Sequence, residues 1–166
     1  YEANNRVRQE GTANLIAAAR QANVDRMVVQ SMAAWYEPKG SPIKSENDPL
    51  WTDAPEPIGT AVRTVLQMEN AALHDLSVAV VLRYGAFYGP GTWYASDGDI
   101  AGRVRKRAFP VIGPGSGIMS FIHLDDAPSA VVAALAARSS GVYNILDDEP
   151  AAATEWLPVY AQALGA

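Results

Sequence analysis

The 166-residue chain contains no cysteine, which excludes disulfides, thiolate nucleophiles and cysteine-ligated metals. Only two histidines are present, His74 and His123. They stand at no metal-ligand spacing, so no metal site is expected. Long apolar runs are also missing. No segment reads as a bilayer span or a signal peptide, and a membrane is not an expected partner. Basic residues are outnumbered, with 13 Lys and Arg against 18 Asp and Glu, a net charge of -5 and a pI of about 4.9. That balance argues against a broad nucleic-acid footprint. A glycine-rich phosphate loop of the G-x-G-x-x-G type is absent. Gly113, Gly115 and Gly117 are followed by "IMSFIHL", a strand rather than a helix, so they read as a turn.

What remains is a globular composition, 49% hydrophobic and 19% charged, in a chain long enough for one domain with a core. The absence of cysteine favours a reducing, cytoplasmic setting. Val7, Leu15, Ile16, Ala18, Ala19 and Ala22 suit one face of a helix over roughly residues 4–22, with Asn23 as its stop. "RMVVQ" (26–30) predicts a short buried strand. Residues 31–58 hold five prolines and no period, a long loop of the functional or mobile kind.

"TAVRTVLQMENAAL" (60–73) has helical spacing. "SVAVVLRY" (77–84) is the strongest strand, a run that a parallel sheet buries on both faces. "DIAGRVRKRA" (99–108) predicts a short basic helix, and "FPVIGPGSGIMSFIHL" (109–124) two short strands around a glycine turn. "DDAPSAVVAALAA" (125–137) predicts a helix with acids at its N-terminal dipole. "GVYNIL" (141–146) follows as a strand, and "TEWLPVYAQALG" (154–165) as a helix N-capped by Thr154. Strand and helix alternate at βαβ spacing, which predicts an α/β fold with a parallel sheet.

Four segments in this order, "EGTANLIAAARQANVDRMVVQSMAAWY", "VAVVLRYGAFYGPGT", "SFIHLDDAPSAVVAAL" and "GVYNILDDEP", resemble the extended short-chain dehydrogenase/reductase superfamily, in its NAD-dependent epimerase/dehydratase branch. The resemblance covers nearly the whole chain. It implies a partial Rossmann-like, doubly wound parallel sheet over residues 1–90. Residues 91–166 would be mostly a small C-terminal substrate-binding portion, with elements returning to the main sheet. It implies NAD or NADP as cofactor, a small-molecule substrate and a homodimer as one assembly to test. By the same comparison the chain starts after the first Rossmann units, about 90 residues into the fold at ~30 residues per unit.

The resemblance also implies where chemistry would sit. The superfamily uses a tyrosine as acid/base, a lysine four residues on, and a serine after the preceding strand. In this branch a glutamate usually stands four residues after the lysine, and Glu69 fits it. Counting back puts Val65 at the lysine position and Ala61 at the tyrosine position, neither able to move a proton. Aligning Tyr36 with the family's "VYG" tyrosine puts Met32 at the catalytic serine and Ser31 one residue earlier. Arg8, not Asn5, falls at the register of a family asparagine that contacts cofactor.

Candidate catalytic groups are therefore Ser31 and Tyr36. Each has a plainer alternative: a strand-end hydroxyl bonding locally, and a packed aromatic. Candidate cofactor contacts are Gln30, Ser31, Tyr84, Gly85 and Ala86, beside which the family's nicotinamide passes. Candidate substrate contacts are Trp93, Tyr94, Arg103 (with Arg105, Lys106 and Arg107 in one basic cluster) and His123. Three functional readings stay open: an atypical NAD(P)-dependent oxidoreductase acting on a hydroxyl or carbonyl group, sugars included; a non-catalytic dinucleotide sensor; and an inactive structural portion of such a protein.

Overall fold

The computed structural model describes residues 2–166. The chain divides into two compact units, residues 2–83 with 130–144, and residues 84–129 with 145–166. In the first unit the chain enters as α1 (Glu2–Arg6), passes a π-helical turn (Val7–Gly11) and continues as α2 (Thr12–Gln21). Ala22 closes α2, and Asn23 follows at φ 52°, the left-handed position that asparagine tolerates after a helix. Then come β1 (Met27–Met32), a long loop carrying an isolated bridge between Tyr36 and Leu50, and α3 (Ile58–Asp75). Strand β2 (Ala79–Tyr84) follows, and β6 (Gly141–Ile145) completes a three-stranded sheet in the order β1-β2-β6. The parallel α/β architecture expected from the alternation of strands and helices is the one observed.

Strand β2 is buried along its whole length, as the apolar run from Val78 to Leu82 predicts. Val80, Val81 and Leu82 pack as fully buried side chains, as do Val62 and Val65 of α3. Each such side chain contributes roughly 1.5–3 kcal/mol relative to exposure. Ile16, Val29, Met68, Ala72, Ala79 and Val81 form one core cluster. The face expected for the first helix is not the one buried. Ile16 is inside, but Val7 and Leu15 are exposed, and Asn5 is buried instead. The π turn adds a residue to the helical path, which rotates everything before it by about 100° relative to α2.

The second unit holds β3 (Ala86–Tyr88), α4 (Asp99–Arg105), β4 (Ile118–Met119), β5 (Phe121–His123), β7 (Ala151–Ala152) and α6 (Ala153–Ala163). Helix α5 (Ala127–Leu135) begins in it and ends in the first unit. Strand β3 pairs parallel with β5, matching Tyr88 to His123, and β4 pairs antiparallel with β7. Both short strands expected within 109–124 lie after the glycine turn. Residues 109–112 form no strand, because Pro110 has no N–H to give to a ladder. The glycine turn itself is as expected, with Gly113 at φ 57° and Gly115 at φ 74°. Thr154 is not the N-cap of the last helix. Its N–H donates to Gly115 O, Ala152 holds the cap position, and Glu155 accepts a bond from the Ala152 N–H.

Candidate active site

The carboxyl end of β1 carries Ser31, buried, between exposed Gln30 and half-buried Met32. The Ser31 hydroxyl donates to Glu69 Oε1 at 2.5 Å. Glu69 stands on α3, one of its most deeply buried residues. Facing it, Arg83 of β2 donates from Nε to Glu69 Oε1 at 3.0 Å and from a terminal nitrogen to Oε2 at 2.6 Å. This is a side-on, bidentate pair between side chains 6% and 1% exposed. The other terminal nitrogen of Arg83 donates to the Tyr36 hydroxyl at 3.0 Å, and its guanidinium carbon lies 5.4 Å from the Tyr36 ring centroid. Tyr36 in turn donates to Asn144 Oδ1 at 2.7 Å, and the Asn144 N–H is held by Glu46.

The result is one polar chain, Ser31–Glu69–Arg83–Tyr36–Asn144, running through the first unit. Burial opposes the Arg83 charge, but the hydrogen bonds to Glu69 and Tyr36 outweigh it and raise the guanidinium pKa above its ordinary value. A buried ion pair with every partner satisfied holds its members in one geometry. The chain thus joins the two sequence candidates, Ser31 and Tyr36, through a pair of charges. It also fixes the hydrogen of each hydroxyl on a protein acceptor.

The positions aligned with the family's tyrosine and lysine, Ala61 and Val65, are 0% and 1% exposed. They belong to the apolar face of α3, and no proton-bearing side chain stands in for them there. Arg63 between them is turned outward, onto Thr52 O, Glu56 and Thr60. Arg8 reaches the Met32 sulfur at 3.9 Å, so the residues in the cofactor-asparagine register and the catalytic-serine register touch one another.

Tyr84 is buried at the end of β2. Its hydroxyl donates to Ala127 O at 3.0 Å, and burial pushes its pKa up. Gly85 donates to Ile145 O, and Ala86 donates to Ser120 O. A Cβ on Gly85 would stand 2.6 Å from Ser120 O and 2.9 Å from Leu146 Cδ2. The chain's own packing therefore already requires glycine there. Trp93 is 74% exposed, whereas Tyr94 packs edge-on with Phe121, Trp156 and Tyr160. Arg103 is exposed on α4. His123 packs against Tyr88, and its Nδ1 accepts the Asp125 N–H at 3.2 Å.

Sequence reasoning missed Arg83 and Asn144 and used Glu69 only as an alignment mark. The available signal was a charge inside "SVAVVLRY": a buried strand that carries an arginine must also bury its partner. Among the described residues no three His, Cys, Asp or Glu side chains gather as a metal site, and no helix is long and apolar enough to cross a membrane.

The residues present fit a dinucleotide in part. Gln30 is exposed on β1, an edge strand of the three-stranded sheet, and its side chain is open to a dinucleotide. Ala61 and Val65 offer it no polar partner, and no glycine-rich turn for a pyrophosphate lies in this sequence.

Comparison with known proteins agrees with this architecture. The NAD dependent epimerase/dehydratase family model matches residues 2–145. A "3-diazoavenalumate denitrifying reductase" from Streptomyces sp is 47% identical over 162 residues, 97% of this chain and 53% of the relative. Among solved structures, MoeE5 in complex with UDP-glucose and NAD is 27% identical, with a TM-score of 0.70 over 95% of this chain and 54% of its own. WbmG of Bordetella bronchiseptica, in complex with NAD and UDP, is 21% identical, with a TM-score of 0.74 over 98% and 50%. The latter is a likeness of fold. The chain spans about half the length of these relatives.

Proposed function

The chain belongs to the NAD dependent epimerase/dehydratase family, and from that premise we propose that the protein carrying it is an NAD(P)-dependent reductase of a small electrophilic substrate. The observation that carries this reading is the 47% identity, across nearly the whole chain, to a relative named as a denitrifying reductase of a diazo compound. A diazo compound is accordingly the substrate class we assign, in place of the hydroxyl, carbonyl or sugar substrates of the general resemblance. When bound, the dinucleotide supplies hydride. This chain's residues would do the positioning: Gln30 and the end of β1 line the nicotinamide side, and Ser31 and Tyr36 are held rigid by Glu69 and Arg83. Trp93, Tyr94, Arg103 and His123 remain our candidates for substrate contact.

The test is oxidation of NADH and NADPH by the protein carrying this chain, with an arenediazonium salt as acceptor. Oxidation that requires both protein and acceptor supports the reading. A second reading, a dinucleotide sensor, is favoured by Ala61 and Val65 in place of the proton-transfer pair. Calorimetric binding of NAD or NADP without any turnover would select it.

A further inference from the structure

The first helical segment turns a polar stripe inward. Over residues 2–10, Asn5 is buried and Arg8 half-buried, while the other residues are exposed, Val7 at 68% among them. Asn5 and Arg8 stand three residues apart, on one face. An apolar side chain thus lies outside, and an amide and a guanidinium lie inside. Arg8 belongs to the π turn Val7–Gly11. Such turns are rare within helices and frequent at functional sites. Gln9 fastens this one to α3, donating to Gln67 Oε1 at 3.2 Å.

Arg8 is aimed at the carboxyl end of β1. Its guanidinium donates to Met32 Sδ at 3.9 Å, and Met32 shares a strand face with Gln30 by the two-residue period. In open α/β sheets this end of the strands is where ligands gather. A thioether is a weak acceptor, so Met32 orients the guanidinium without neutralising it. Glu10, the acid nearest in sequence, pairs instead with Arg6 on the exposed side. One turn back from Arg8, the Asn5 Oδ1 is buried and has no hydrogen-bond partner among the described residues. A buried acceptor of this kind is satisfied when a donor on a bound molecule reaches it.

We infer that Arg8 is a specificity-determining residue: it binds a carboxylate carried by the substrate and so sets which end of the acceptor meets the dinucleotide. The inference rests on the reductase reading above and adds to it a negative charge on the acceptor, apart from the group that is reduced. A planar guanidinium fork matches the two coplanar oxygens of a carboxylate. Half-burial makes such a pair stronger than it would be in open water. A phosphate of the dinucleotide presents similar oxygens, and the experiment separates the two sources.

The experiment has two arms, both on the protein carrying this chain. In the first, the protein loaded with oxidised dinucleotide is titrated calorimetrically with benzoate and with benzamide, which have nearly one shape and differ in charge. Benzoate is expected to bind more tightly by roughly tenfold to a hundredfold. Arg8→Gln should abolish that preference. Arg8→Lys, which keeps the charge and loses the fork, should retain part of it. Dinucleotide affinity should be the same in all three proteins. No preference for benzoate, or a preference that survives Arg8→Gln, overturns the inference. A loss of dinucleotide affinity in Arg8→Lys also overturns it, because Arg8 would then serve the cofactor's phosphates.

In the second arm the protein with reduced dinucleotide is offered 4-carboxybenzenediazonium or its neutral 4-carbamoyl counterpart. The expected result is a higher kcat/KM for the carboxylate, lost in Arg8→Gln chiefly through a raised KM. Equal kcat/KM for the two acceptors overturns the inference and leaves the reductase reading standing. Reduction of neither acceptor, with benzoate binding still dependent on Arg8, overturns the reductase reading and leaves the carboxylate site in place.

Discussion

Arg83 and Glu69 lie side by side in the buried interior, joined by hydrogen bonds of 3.0 and 2.6 Å. One comes from the only charged residue of β2 and the other from the helix packed beside it. Removing one member leaves the other charge uncompensated. Glu69→Gln is therefore expected to destabilise the fold by about 3–5 kcal/mol, read as a lowered urea midpoint.

Ser31→Ala should cost less. Glu69 keeps both bonds to Arg83, and only one hydrogen bond to a charged group is lost, worth roughly 1.5–3 kcal/mol. The same urea titration should rank Ser31→Ala clearly milder than Glu69→Gln. The reverse order would mean that the serine, not the ion pair, anchors the polar chain.

The entry to α3 has a pH signature. Glu56 accepts from the Thr60 hydroxyl, from Arg63 and from the Thr60 N–H, and these bonds lower its pKa from an ordinary 4.5 to about 2. A carboxylate with a depressed folded pKa stabilises above its unfolded pKa, and that contribution is lost as pH falls through the folded value. Thermal midpoints should therefore fall between about pH 4.5 and pH 2 partly through Glu56. Glu56→Gln should flatten that part of the curve and leave the neutral side unchanged in slope.

Gly85→Ala tests the second unit. The added methyl meets the Ser120 carbonyl at 2.6 Å, a backbone atom of the neighbouring segment that cannot swing away. Overpacking of this kind costs about 1–3 kcal/mol. Thermal denaturation should show the loss without any dinucleotide present, which separates a packing role from cofactor contact.

The fold was legible in the sequence where one physical signal dominated. Strand β2 announced itself because burial on both faces demands an apolar run, here Val78 to Leu82. The first helix misled because it is rich in alanine, so its faces differ little, and a single π turn then rotated the residues before α2, with Asn5 buried and Val7 exposed. Residues 109–112 looked like a strand by hydrophobicity, but Pro110 denies them a ladder. The partners of the polar chain were out of reach. Tyr36 and Asn144 are 108 residues apart, and only folding brings them together. Arg83 was the visible half of the clue, since a charge in a buried strand requires a counter-charge. Glu69, noted only for its register, was that partner.

The central claim is that this family member turns over a reduced dinucleotide without the family's tyrosine and lysine. The most direct measurement is simultaneous quantitation of dinucleotide oxidised and N2 released by the protein carrying this chain with a benzenediazonium salt. The account predicts equal molar amounts of the two, dependent on the protein. Tight dinucleotide binding with neither oxidation nor N2 release would contradict it.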